Sequence, residues 1–188
     1  MKTTSHFLGI TLNNKLFLGL FNSLQKYLNE NNIENAIELQ NINNLHITLY
    51  YFGEKIDSKT LLKVKDDLLK LNKIIFPIYI DKFNFFEKER QIYLGYLSPS
   101  KNKKIKEINS KLKSNYISDV PDNDYSRYIP HVTLFKIRDF DLYQKHSEKI
   151  LKIINFNLKK IKINDSFKEI NLYAVDSSFS PEKQVVVY

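Results

Sequence analysis

The chain of 188 residues contains no cysteine. Disulfides and thiolate metal sites are thereby excluded, and nothing points to an oxidising compartment. Glycine is scarce, at four residues, and none lies in a run of the kind whose backbone amides cradle phosphates. That argues against nucleotide-fuelled group transfer. Linkers rich in Pro, Gly or Ser are missing, as are low-complexity tails, so there is no internal seam at which to divide the chain. No apolar run approaches the ~20 residues of a membrane span. The opening MKTTSHFLGITLNN has too short an apolar stretch and no small-residue cleavage site for a secretory signal. A cytoplasmic protein that does not engage a membrane is expected.

What is present is a globular composition, 43% apolar and 13% aromatic. This length supports one good-sized core, or two small lobes sharing an interface. Basic residues outnumber acidic ones by 29 to 21, a net charge of +8, which suits a polyanionic partner such as a nucleic acid or nucleotide. Charge alone is a weak pointer here, because the chain is rich in Lys, Asn, Ile and Tyr throughout. The clusters Lys101, Lys103, Lys104, Lys106 and Lys159, Lys160, Lys162 read as solvated faces.

Histidine is also sparse, with four residues, yet two of them recur in one setting: His46-Ile47-Thr48-Leu49 and His131-Val132-Thr133-Leu134. Both stretches read as β-strands, in which successive side chains point to opposite faces. His46 and Thr48 then share one face, backed by Ile47 and Leu49. His131 and Thr133 share another, backed by Val132 and Leu134. A lone His-x-Thr in an apolar strand is ordinarily a satisfied, half-buried histidine, but a doubled one calls for a functional account. The other two, His6 and His146, read as structural or surface residues.

Around these strands the pattern is strand, helix, strands, repeated. A strand over His6–Leu12 precedes a helix over Lys15–Asn29, with Phe17, Leu20, Phe21, Leu24 and Leu28 at helical spacing. A short strand over Ala36–Gln40 leads to the His46 strand, which Gly53 ends. Ser58 caps a second helix carrying Leu61, Val64, Leu68 and Leu71. Strands over Ile74–Phe86 and Gln91–Leu97 flank a charged turn, with Pro77 marking an edge. A third helix covers Lys103–Tyr116. After the turn-rich 118–129 and the His131 strand comes a weaker helix from Asp141. Strands over Phe156–Ile163, Phe167–Val175 and Gln184–Tyr188 close the chain. Short connections favour antiparallel sheets.

Asn44-Leu45-His46-Ile47-Thr48-Leu49 with Phe52-Gly53, and Pro130-His131-Val132-Thr133-Leu134, resemble the motifs of the two-histidine (2H) phosphoesterases, the LigT-like superfamily that includes RNA 2′,3′-cyclic phosphodiesterases. The opening strand and the closing pair around Leu172 and Val185–Val187 fit as well, so the resemblance spans nearly the whole chain. It implies an α+β fold, residues 1–188 forming a single bilobal domain. Two antiparallel β-sheets, related by a pseudo-twofold, would line a central groove with helices outside. It departs from the bacterial RNA phosphodiesterases after the second motif, where a small residue and arginine are replaced by Phe135 and Lys136. A lysine is a point charge rather than a bidentate fork.

The residue types suit phosphodiester cleavage. One imidazole takes a proton from the nucleophile and the other gives one to the leaving oxygen. The hydroxyls of Thr48 and Thr133 would bond the non-bridging oxygens. Neither a cofactor nor a metal is expected; the histidine spacing is not that of a metal site. Substrate contacts are sought at Tyr50, on the His46 face, and Phe135, on the His131 face. Arg127 and Tyr128 precede the second motif, and Lys136 is placed to approach a phosphate. The expected partner is an RNA end or a small cyclic or oligomeric nucleotide, bound by a monomer. A 2′,3′-cyclic phosphate, a 2′–5′ linkage and a cyclic oligonucleotide messenger are the competing substrates. RNA 2′–5′ ligation and a catalytically idle RNA-binding module are the alternatives.

Overall fold

The structure, a computed structural model, describes residues 4–54, 56–74, 76–88, 91–116, 128–176 and 184–186. Strand β1 (Thr4–Leu12) leads through a 3₁₀ turn (Asn14–Phe17) into helix α1 (Leu18–Glu30). The short β2 (Ile37–Leu39) and a second 3₁₀ turn (Ile42–Asn44) precede β3 (His46–Gly53). Helix α2 (Ser58–Leu71) and β4 (Lys82–Lys88) complete the first half. The second half runs β5 (Gln91–Ser98), α3 (Lys103–Asn115), β6 (Val132–Ile137), α4 (Phe140–Ile161), β7 (Phe167–Asp176) and β8 (Gln184–Val186).

Two antiparallel four-stranded sheets result, ordered β3-β1-β7-β8 and β2-β6-β5-β4. The pseudo-twofold is visible in this order: β3, β1 and β7 correspond to β6, β5 and β4. The two halves of the chain are exchanged at their ends. β4 pairs with β5 in the second sheet, and β7 returns to pair with β1 in the first. The helices are exchanged too: α3 packs on β3 and α2 on β7, while α1 and α4 lie together against the second sheet. One continuous core fills the space between sheets and helices, with Leu8, Ile10, Ile47, Leu49, Leu134, Phe135, Ile170 and Leu172 all fully buried.

Three local expectations change. The strand expected over Phe156–Ile163 is the last part of α4, because Ile150, Ile154, Leu158 and Ile161 recur at helical spacing and are buried together. Residues 76–81 around Pro77 form no strand; β4 starts at Lys82, though it does sit at a sheet edge. Asp57, not Ser58, caps α2, its carboxylate accepting from the Thr60 amide at 2.6 Å. The two leftover histidines divide as structural groups do. The Tyr27 hydroxyl meets His146 Nδ1 at 2.8 Å and ties α1 to α4, and His6 is half-buried on β1. Among the described residues no helix is long and apolar enough to cross a membrane.

Gly95 of β5 shows how tightly the second sheet is built. A Cβ there would lie 2.5 Å from the Phe135 ring. That ring is fully buried and bounded by Phe83 and Tyr143, so it has little room to retreat. Gly95→Ala is expected to lower stability by about 2–3 kcal/mol through overpacking. Urea unfolding measures this, and an unchanged midpoint would contradict it.

Candidate active site

His46 is the first residue of β3 and His131 immediately precedes β6. The 3₁₀ turn before His46 is fixed by Asn41, whose side chain accepts from the Asn43 amide at 2.9 Å. It brings the Asn44 carbonyl to 2.7 Å from His46 Nδ1. In the same way the Ile129 carbonyl lies 2.8 Å from His131 Nδ1. A carbonyl only accepts, so each Nδ1–H donates. Both rings are held in the tautomer that leaves Nε2 bare when neutral. Each residue is bonded to the carbonyl two positions back, a local device built twice.

Each threonine is followed by a β-bulge. Leu8 pairs with Tyr50 and Gly9 with Thr48, so Leu49 is extra. Gly95 pairs with Phe135 and Tyr96 with Thr133, so Leu134 is extra. A bulge resets the alternation of side chains beyond it. Two of the expected contacts are corrected as a result. Tyr50 does not share the His46 face: it is buried in the core, its hydroxyl donating to the Tyr116 carbonyl at 2.9 Å. Phe135 likewise turns inward and is fully buried. Their successors take the groove face instead. Tyr51 packs against the Phe7, Tyr173 and Val175 cluster beside His46, and Lys136 follows Thr133 by alternation. The Tyr128 hydroxyl is already committed, donating to the Thr48 carbonyl at 2.7 Å. Arg127 lies outside the described residues.

Neither motif histidine stands alone. The His46 ring centroid lies 4.8 Å from Phe7 and 5.2 Å from Tyr173, which stack on each other. The His131 ring is 4.8 Å from Phe86 and 5.4 Å from Tyr96, again a stacked pair. Beyond Tyr173 a polar chain continues: its hydroxyl is 2.5 Å from Thr11 Oγ1, which accepts from Asn171 at 2.7 Å. These flanking residues could not be placed from local pattern. Phe7 and Tyr173 meet only because β1 pairs with β7, far apart in sequence.

The apolar walls set the electrostatics. Burial lowers the His46 pKa to about 4, the Asn44 hydrogen bond opposing it and charge on His131 adding to it. Burial also lowers His131, against its bond to Ile129. Among the described residues, no three His, Cys, Asp or Glu side chains gather where they could hold a metal ion.

The His46 shift bears on stability. The folded state keeps this ring neutral while the unfolded chain takes up a proton near pH 6.5, so stability is present above that pH and is lost as pH falls toward about 4. For a half-buried ring the loss is at most ~3 kcal/mol. Denaturant unfolding at pH 7 and pH 4.5 is expected to show a smaller difference for His46→Gln than for the parent. Equal differences would contradict it.

No protein-family model matches the sequence, and no curated protein matches it either. Solved structures do match in three dimensions. TT0787 of Thermus thermophilus is 13% identical, with a TM-score of 0.63 over 98% of this chain and 95% of that one. LigT of E. coli is 17% identical, with a TM-score of 0.55 over 98% of this chain and 93% of that one. The fold is that of the two-histidine phosphoesterases. Usb1 of Kluyveromyces marxianus shares this two-histidine fold at 14% identity and a TM-score of 0.50, over 91% of this chain and 92% of that one. At such identities the likeness is one of fold. Crystals of E. coli LigT have contained ATP, 3′-AMP and phosphate. Within the two-histidine fold of this chain, the motifs occupy corresponding places, on β3 and at the start of β6.

Proposed function

We propose that the chain is a phosphodiesterase acting on RNA-derived or cyclic nucleotide phosphodiesters, with His46 and His131 as its acid–base pair. One observation carries the reading. Both imidazoles donate Nδ1–H to the backbone carbonyl two residues back, each two residues before a threonine and a bulge, at corresponding strands of the two sheets. A proton acceptor and a proton donor on opposite sides of a phosphate are what in-line displacement requires. The nucleotides seen on LigT and the net charge of +8 agree with an anionic nucleotide substrate.

The roles follow from the environments. His46 is the harder ring to charge, so the first proton taken up by the pair resides on His131. For a cyclic phosphate, neutral His46 Nε2 takes a proton from water as its oxygen bonds to phosphorus. The bond to the leaving ribose oxygen breaks, and His131 Nε2–H protonates that oxygen. The hydroxyls of Thr48 and Thr133 bond the non-bridging oxygens as negative charge grows there. The imidazoles alone move both protons, so the reaction needs no metal.

The test is a substrate panel in the presence of chelator: a 2′,3′-cyclic nucleotide, a 2′–5′ oligoadenylate, a cyclic dinucleotide, and RNA ends with and without a cyclic phosphate. The His46→Ala/His131→Ala double variant is the control. Turnover of one class by the parent alone names the substrate. Binding without turnover would favour an idle RNA-binding module, joining of ends would favour a ligase, and arrest by chelator would defeat the metal-free mechanism.

A further inference from the structure

The carbonyls of the Thr48 bulge are bonded in an unusual way. In a regular strand successive carbonyls point to opposite sides. Here two in succession accept from side chains: Thr48 O from Tyr128 at 2.7 Å, and Leu49 O from Asn109 of α3 at 2.6 Å. The other sheet explains why. Its motif strand β6 is interior, and the carbonyl of its bulge residue, Leu134, accepts from the Gln40 amide at the end of β2 at 2.9 Å. Among the described residues β3 is an edge strand with no such neighbour. Two side chains, the buried Asn109 and the half-buried Tyr128, therefore do for β3 what a strand does for β6.

Of the two, Tyr128 has a second connection. Asn109 comes from the helix that covers the same sheet, whereas Tyr128 lies three residues before His131. The residue between Tyr128 and Pro130 is Ile129, whose carbonyl holds the His131 ring. One continuous path thus runs from the Thr48 carbonyl, through the Tyr128 hydroxyl and one peptide unit, to His131 Nδ1–H. It joins the motif of one lobe to the motif of the other. We infer that Tyr128 is a positioning residue, its hydroxyl setting the distance between the His131 ring and the Thr48 side chain. It acts through the peptide unit that holds the His131 ring, and the kinetic part of the inference rests on the phosphodiesterase reading.

The experiment is Tyr128→Phe, which keeps the ring and removes only the donor. Two readouts are taken. The first is the imidazole Nδ1–H proton resonances of His46 and His131, which need no turnover. The second is kcat against KM on whichever substrate the parent cleaves. Hydrogen exchange at His131 Nδ1–H is expected to speed up at least about tenfold while His46 is unchanged. A misplaced acid is expected to lower kcat about tenfold, with KM within about threefold. An unaltered His131 resonance overturns the inference. So does loss of near-ultraviolet circular dichroism, since the hydroxyl would then support the fold at large. If the parent cleaves nothing, the phosphodiesterase reading fails, and the resonances alone decide the positioning role.

Discussion

His131→Ala is expected to slow hydrolysis of a ribose phosphodiester by about a thousandfold, yet to leave a p-nitrophenyl phosphodiester within about tenfold of the parent. A ribose oxygen leaves as a strongly basic alkoxide unless it is protonated, whereas p-nitrophenolate leaves unaided. His46→Ala is expected to slow both substrates alike, because the nucleophile loses its base in either case. The pH profile adds a sign. The active form has His46 neutral and His131 charged, and its population peaks midway between their two pKa values. Both lie below 6.5, His46 at about 4, so kcat/KM for the ribose substrate is expected to be optimal on the acid side of pH 6.5. On the activated substrate the alkaline limb should vanish, since no acid is needed. Equal losses for both variants on both substrates would sink the division of roles, and an optimum above pH 7 would sink its electrostatic basis.

The threonine hydroxyls should come next in size. Thr48→Val and Thr133→Val keep the branched shape and remove one donor each. A single lost donor to a developing oxyanion costs on the order of a hundredfold in kcat. Folding is not at stake, because both side chains are half-buried on the groove face, outside the core behind it. Single-turnover rates separate the chemical step from binding. If both variants retained rates within threefold of the parent, the hydroxyls would be bystanders. Inorganic phosphate, titrated against the histidine resonances, is expected to bind about tenfold more weakly to each variant, since neutral hydrogen bonds are individually modest.

Much of this site could be read from the chain because its signal is local. His46 and Thr48, and likewise His131 and Thr133, lie two residues apart in short strands, so period-two alternation finds them. The helix faces of α1 and α2 were equally plain in the spacing of Leu20, Leu24 and Leu28 and of Val64, Leu68 and Leu71. Alternation fails one step beyond each threonine, where a bulge turns Tyr50 and Phe135 inward and brings Tyr51 and Lys136 to the groove side. A bulge depends on the partner strand, so no window along β3 or β6 reveals it. The Phe156–Ile163 stretch misleads for the opposite reason: it alternates like a strand, but the longer helical stripe from Ile150 to Ile161 buries more. Tyr128 was legible as a neighbour of the second motif. Its bond to Thr48 depends on how the two lobes meet.

The exchange of β4 and β7 between the halves has a temporal consequence. During synthesis His46 is made early, but Tyr173, which walls its ring, is made only after both motifs. The β1–β7 ladder spans some of the longest sequence separations in the chain, and pairing of that kind is slow to form. A nascent chain stalled before residue 167 would hold both motifs and still lack a wall of the cleft. Competence should therefore arrive late and all at once, and a bisected gene should regain it only when the two pieces are made together.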